Sequence, residues 1–138
     1  MSDARVPQPV SGGSAPVSVY AADSVVTAAP DTSLAAVASE LIEDQIGLVV
    51  LGTVEHVEGV VSERDVARAV AEGRDPATAA MDIASTKLVW CDSTATVREV
   101  AEQMMEQYVR HVLLEDGGKL VGIVSARDLL GAYAMSPE

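Results

Sequence analysis

The sequence predicts an α/β (α+β) fold made of two β-α-β-β-α repeats, and three observations carry that expectation. The chain aligns with itself at an offset of 63 residues without a gap, residues 33–71 falling on 96–134, with 12 identities among the 39 pairs. So long a period marks two copies of one supersecondary unit, whereas a solenoid needs three or more stacked units. Within each copy, apolar residues recur first at helical spacing and then in short unbroken runs, which predicts helices interleaved with buried strands. The 138 residues are 49% hydrophobic, mostly Ala and Val, with no Phe and a single Trp. Small and branched side chains of this kind suit closely packed sheets and helices. One copy alone is too small to bury both faces of its sheet, so the two are expected to pack about a pseudo-twofold axis, with the boundary near residues 73–85.

Each element has a local reason. Residues 1–16 hold Pro7, Pro9, Gly12, Gly13 and Pro16 among small polar residues and are expected to form a flexible tail. Residues 17–75 then make the first repeat and 76–138 the second. In the first, residues 24–28 are β-prone. Asp31 or Thr32 can cap a helix whose stripe is Leu34, Val37, Ala38, Leu41 and Ile42. Residues 48–51 and 57–61 read as two strands forming a hairpin, and a second helix starts at 66–71 and stops near Gly73 and Pro76. In the second repeat, residues 88–90 open the sheet. Thr96 and Glu99 have capping-box spacing ahead of the stripe Val97, Val100, Ala101, Met104 and Met105. Residues 112–114 and 120–124 are strands joined by Glu115-Asp116-Gly117-Gly118, a tight-turn sequence, and a helix over 127–133 closes the copy.

Composition excludes several function classes. The net charge of −12, spread without a run, lacks the basic footprint by which proteins bind nucleic acid. The best apolar run, residues 46–54, falls far short of the ~20 residues of a membrane span. A lone cysteine, Cys91, permits no intramolecular disulfide, and the N-terminus lacks the pattern of a signal peptide, so a cytoplasmic location is expected.

The polar phrase common to both copies is Ser-x-Arg-Asp, at Ser62–Asp65 and Ser125–Asp128. One reading is structural. Ser and Asp three residues apart, between a strand and an apolar helix, form a capping box that stabilises each helix by roughly 1 kcal/mol. The other reading is a ligand clamp. Arg64 and Arg127 fall in the first helical turn, where a cation opposes the helix dipole unless an anion sits there. Free N–H groups, a Ser hydroxyl and an Arg fork together bind phosphate, and a neighbouring carboxylate can accept two hydrogen bonds from vicinal ribose hydroxyls. Gly59 and Gly122 before each phrase let a backbone or ligand approach closely. The arginines discriminate: if they point to solvent or pair with Glu63 or Glu58, the capping reading wins.

Gly59-Val60-Val61-Ser62-Glu63-Arg64-Asp65 and Gly122-Ile123-Val124-Ser125-Ala126-Arg127-Asp128 both fit the pattern Gly-hydrophobic-x-Thr/Ser-x-x-Asp between last strand and last helix. On these motifs, over residues 17–134, the chain resembles a tandem pair of cystathionine-β-synthase (CBS) domains, a Bateman module, in stand-alone form. The resemblance implies a regulatory module that binds an adenosine ligand in clefts between the two repeats. It assigns Ser62 and Asp65 to one cleft and Ser125 and Asp128 to the other, with Asp on the ribose and Ser on the phosphate. Adenine is expected near Val26, Ile46 and Val49 in the first, and near Val89, Val109 and Val112 in the second. AMP, ADP or ATP is the first candidate, followed by S-adenosylmethionine and NAD. A homodimer is expected, with a separate effector protein as the recipient of the signal. Val49 and Val112 replace a Pro that many family members carry there. Arg110 and His111 stand in the second copy where Gly47 and Leu48 stand in the first, and the first has Glu55, Glu58 and Glu63 to repel an anion. If one cleft alone is occupied, the expectation is the one around Ser125 and Asp128.

No catalytic set or metal site is expected. Cys91, His56 and His111 have no spacing that places them together, and a lone Cys is more often a small buried hydrophobe. The two histidines lack zinc-ligand spacing. Met81, Met104 and Met105 read as packing, as does Trp90, which could otherwise stack on a base. The alternative to a sensor is an interaction scaffold with empty clefts, in which the two phrases only cap helices.

Overall fold

The computed structural model describes residues 12–21 and 25–134. The elements follow the doubled order: β1 (Thr27–Ala28), α1 (Leu34–Glu43), β2 (Leu48–Gly52), β3 (Val57–Ser62) and α2 (Glu63–Ala71), then β4 (Trp90–Asp92), α3 (Val97–Gln107), β5 (His111–Asp116), β6 (Lys119–Ser125) and α4 (Ala126–Ala134). Each copy forms a three-stranded sheet, ordered β1-β2-β3 and β4-β5-β6. The outer pair is parallel in both, Thr27 opposite Val50 and Trp90 opposite Leu113. A parallel neighbour requires a crossover, and the intervening helix supplies it. β2 and β3 are antiparallel, Val49 opposite Val61, and a register shift at Gly52 (φ 114) ends the regular pairing. A Cβ at Gly52 would strike the His56 carbonyl. Gly117 (φ 61) and Gly118 (φ 82) turn the second hairpin in the left-handed conformations that a primed turn requires.

The helical stripes narrow on inspection. Leu34, Val37 and Leu41 of α1 and Val97, Val100 and Met104 of α3 are buried. Ile42 and Met105, expected on those stripes, are each 77% exposed. They stand one residue past the stripe, turned about 100° from Leu41 and Met104. The cap of α1 is Ser33, whose Oγ accepts from the Ala36 N–H at 3.1 Å, not Asp31 or Thr32. Ser33 is the partner of Thr96 at the 63-residue offset, and Thr96 closes the expected box with Glu99. The strand of the second copy also opens at Trp90, later than residues 88–90 suggested.

The chain divides into two compact units whose membership crosses the repeat boundary. One holds residues 25–88 with 117–121; the other holds 12–21, 89–116 and 122–134 of the described chain. In the latter, a short 3-10 segment at Val17–Tyr20 packs on α4 and is tied to the start of α3. Val17 N–H donates to Ala95 O at 2.8 Å, and Val97 N–H to Ala15 O at 2.9 Å. In the former, a second 3-10 segment at Ala80–Ile83 is tied in the same way to the start of α1. Ala80 N–H donates to Thr32 O at 2.7 Å, and Leu34 N–H to Thr78 O at 2.8 Å. The four bonds are two pairs related by the 63-residue offset. The segment that leads each copy therefore completes the core of the other copy.

Ala15 and Val17 join Val97, Val100, Val112, Leu114 and Val124 in one core, while Ala80 joins Val37, Leu41, Val49, Leu51 and Val61 in the other. Residues 12–16, assigned by composition to a tail, are part of this arrangement: Pro16 bridges to Thr96 and Ala15 is buried. Residues 1–11 lie outside the described residues. The second hairpin also crosses over at its tip, where Leu120 N–H donates to Val54 O at 2.9 Å and Lys119 stands 3.8 Å from Glu55. Among the described residues, no helix is long and apolar enough to cross a membrane.

Val17 is fully buried, so Val17→Ala should cost about 2 kcal/mol in urea denaturation, as for a core residue losing two methyl groups. A change below about 0.5 kcal/mol, typical of a surface position, would return the segment to a tail.

Candidate functional site

Ser62 is both the last residue of β3 and the N-cap of α2, so strand passes into helix with no loop between them. Ser125 ends β6 in the same way, and α4 begins at Ala126. Such a turn leaves the first helical N–H groups without partners, and the phrase supplies them. Ser62 Oγ accepts from Asp65 N–H at 3.1 Å, while Asp65 Oδ2 accepts from Ser62 N–H at 2.8 Å. The second copy repeats the reciprocal pair, Asp128 N–H to Ser125 Oγ at 3.0 Å and Ser125 N–H to Asp128 Oδ2 at 2.8 Å. The capping reading is thus realised in both copies. Arg64 and Arg127 are exposed and form no ion pair among the described residues. By the criterion set from the sequence, that orientation favours capping. Capping does not use up the groups, because each carboxylate has a second oxygen.

That second oxygen differs between the copies. Asp65 Oδ1 is held by Arg68 Nη1 at 3.1 Å, and Oδ2 also accepts from the Ser62 hydroxyl at 2.9 Å. Asp128 Oδ1 has no partner among the described residues. The offset places Gly131 where the first copy has Arg68. Arg68 is a residue of this turn that the sequence reading passed over, although the offset alone pairs it with Gly131.

The expected phosphate-side residues lie next to the second turn. Ala126 N–H donates to Arg110 O at 2.8 Å, which fixes exposed Arg110 beside the start of α4, and half-buried His111 begins β5 just after it. In the first copy Gly47 holds the corresponding place, bonded by Glu63 N–H at 3.3 Å. Arg110, Ser125, Arg127 and Asp128 are therefore brought to one helix start. The residues expected around adenine separate into two groups. Val26 and Ile46 pack at the edge of one core, and Val89 and Val109 at the edge of the other, each partly exposed. Val49 and Val112 are fully buried and offer no surface to a ligand; β2 and β5 are covered on both faces there.

The approach that Gly59 permits is made by the chain itself: a Cβ would lie 3.2 Å from Ser85 O and 3.2 Å from the Met81 methyl. At Gly122 the neighbour is Ala21, 3.4 Å away, the counterpart of Ala84 at the offset. Beside Asp65 and Arg68 opens a cavity of about 210 Å³, floored by Ile83 and Ala84 and flanked by Arg74. The larger cavity, about 530 Å³, runs along α3 and is lined by Asp92, Glu99, Glu102 and Glu106 with Cys91. Four carboxylates without a facing cation make it a poor seat for phosphate. Burial, together with the nearby Glu99 charge, pushes the Cys91 thiol up from its ordinary value. Asp92 is held low by hydrogen bonds from Thr94 N–H and Oγ1. Cys91, His56 and His111 belong to no group of three or more ligands suited to a metal among the described residues.

A family profile for the CBS domain matches residues 17–72 and 80–135. The chain belongs to the CBS-domain family. Among CBS relatives, it is 28% identical over 106 residues to the CBS domain-containing protein YhcV of Bacillus subtilis, covering 76% of each chain. It is 33% identical over 100 residues to hypoxic response protein 1 of Mycobacterium tuberculosis, covering 70% of each. A relative from Methanopyrus kandleri is longer, and the chain spans only 56% of its length at 30% identity over 110 residues. Among solved CBS structures, the CBS domain protein PAE2072 of Pyrobaculum aerophilum, complexed with AMP, superposes with a TM-score of 0.75 at 32% identity, over 87% of this chain and 98% of that one. The two stretches matched by the family profile include both strand-to-helix turns.

Two measurements check the local chemistry. Ser62→Ala and Ser125→Ala should each cost about 1 kcal/mol in urea denaturation, the value of a lost N-cap. Cys91, with its thiolate disfavoured, should react with iodoacetamide more slowly than a free thiol at pH 7.5. The gap should close as pH rises and as denaturant exposes the group. Since its folded pKa lies above the unfolded one, the associated stability is full at neutral pH and is lost as pH climbs through the folded value.

Proposed function

We propose that this chain is a regulatory module that binds an adenosine-containing ligand at its strand-to-helix turns and acts as a homodimer, without catalysis of its own. The observation that carries the reading is the second turn. There Asp128 keeps a free carboxylate oxygen while Arg110 and Arg127 stand beside it without ion-pair partners among the described residues. A carboxylate for vicinal hydroxyls and two guanidinium groups for phosphate suit a nucleoside monophosphate. The AMP complex of a CBS relative supports the same class. AMP, ADP and ATP come first, with S-adenosylmethionine and NAD behind them; the ribose they all carry, set against the Asp128 carboxylate, is what they share.

Support for a dimer comes from the helices. Ile42 and Met105 occupy equivalent positions and are each 77% exposed, while Val70 and Tyr133, another equivalent pair, are 70% and 51% exposed. Apolar residues at the same exposed places in both copies suit a surface that meets another chain. A separate effector protein would read the change that ligand imposes on that packing.

A second reading has its own observation in favour: both phrases are complete caps and both arginines face solvent, as a ligand-free scaffold requires. A thermal-shift panel of AMP, ADP, ATP, S-adenosylmethionine and NAD separates the two. At 100 times its dissociation constant a ligand adds about 2.7 kcal/mol, a rise on the order of 5–10 °C for a chain of this size. The expected result is a selective rise that disappears in the Asp65→Ala/Asp128→Ala double variant. Flat melting curves at millimolar concentrations of all five would establish the scaffold instead.

A further inference from the structure

We infer that Arg68 decides which copy takes the ligand: its guanidinium occupies the carboxylate edge of Asp65 that stays open at Asp128, so the chain binds one adenosine ligand, in its second copy. The inference rests on the adenosine reading above. A carboxylate has about four acceptor positions, and a vicinal diol needs one on each oxygen. On Asp65, Oδ2 already accepts from Ser62 N–H at 2.8 Å and from the Ser62 hydroxyl at 2.9 Å, and Oδ1 accepts from Arg68 at 3.1 Å. A diol cannot span that carboxylate without displacing a donor. The Ser62 hydroxyl hydrogen is also spent on Asp65 and cannot be donated to a phosphate. On Asp128, among the described residues, only the Ser125 N–H is bound, at 2.8 Å, which leaves Oδ1 open. The Ser125 hydroxyl accepts from Asp128 N–H at 3.0 Å, and its hydrogen remains to be donated.

The surroundings run the same way. Glu63 and Glu58 flank the first phrase where Ala126 and Val121 flank the second, and Arg110 replaces Gly47. The Arg68 contact is an i,i+3 pair between a side chain 55% exposed and a carboxylate only 12% exposed. Its strength is that of a part-shielded ion pair, enough to change affinity several-fold without locking the carboxylate permanently. Gly131 lacks a side chain, and a Cβ built there meets nothing within 4 Å, so the same arginine can be placed on α4 without a clash.

Calorimetric titration of the intact chain with AMP, ATP and S-adenosylmethionine tests this. Wild type should show one tight equivalent per chain, kept in Asp65→Ala and lost in Asp128→Ala. In the Asp128→Ala background, Arg68→Ala should tighten the residual first-copy binding roughly three- to tenfold. In the Asp65→Ala background, Gly131→Arg should weaken second-copy binding by a similar factor. Opposite changes from removing and installing one arginine cannot come from a general loss of helix stability, and melting temperatures of the unliganded variants check that each is folded. Two equal equivalents in wild type, binding that depends on Asp65, or weaker first-copy binding in Arg68→Ala would overturn the inference while leaving the adenosine reading standing. No binding of any of the three probes would remove that reading and the inference with it.

Discussion

Both copies depend on a chain that leaves a strand and enters a helix within a single residue. Ser62 and Ser125 each close a ladder and open a helix, so the helix has no loop to adjust its direction. The reciprocal bonds between Ser and the Asp three residues on hold that corner, and the hydrogen bonds from Glu63 and Ala126 N–H back to Gly47 and Arg110 tie it to the neighbouring strand. Helix packing on the sheet and the position of every polar side chain at the corner follow from it. The same economy lets one pair of residues hold the corner without using all of its polar atoms. Capping uses one carboxylate oxygen and the serine's lone pair. At Ser125 and Asp128 the other oxygen and the hydroxyl hydrogen are left over among the described residues, whereas at Ser62 and Asp65 they are taken by Arg68 and by Asp65 Oδ2.

Much of the fold was legible in the sequence because it rests on periodic signals. Among the described residues, the four α-helices and six strands appear where apolar spacing and turn residues put them, within a few residues, and the offset of 63 carries each assignment from one copy to the other. What escaped lacks periodicity. The 3-10 segments at Val17–Tyr20 and Ala80–Ile83 share no run of identical residues, and a stretch rich in Pro and Gly looks like a tail whether or not it packs. Ile42 and Met105 were expected inside because a stripe drawn at 3.6 spacing is broader than the face that meets the sheet. Ser33 was passed over for its neighbours, although its alignment with Thr96 already marked it.

The site was legible only as a list of residue types. Sequence paired Ser62 with Asp65 and Ser125 with Asp128, but two motifs that read alike carry different hydrogen-bond loads. The difference lies outside the motif, at a position occupied by Arg68 in one copy and Gly131 in the other. Val49 and Val112 show the converse: chosen for their place along a strand, they prove to be core, Val49 among Val37, Leu41 and Val61 and Val112 among Val97, Val100 and Val124.

The crossed leading segments have a consequence for how such a chain can be divided. Cutting near residue 75 would yield two polypeptides, each with a complete strand-helix set yet lacking the segment that fills its core, since Ala80 would stay with the second fragment and Val17 with the first. Neither fragment is a self-sufficient folding unit, and each carries the missing piece of the other. The smallest heritable module is therefore the pair. With the leading segments exchanged, the two halves can differ in charge, as they do at Arg68 and Gly131, while each still depends on the other for its core.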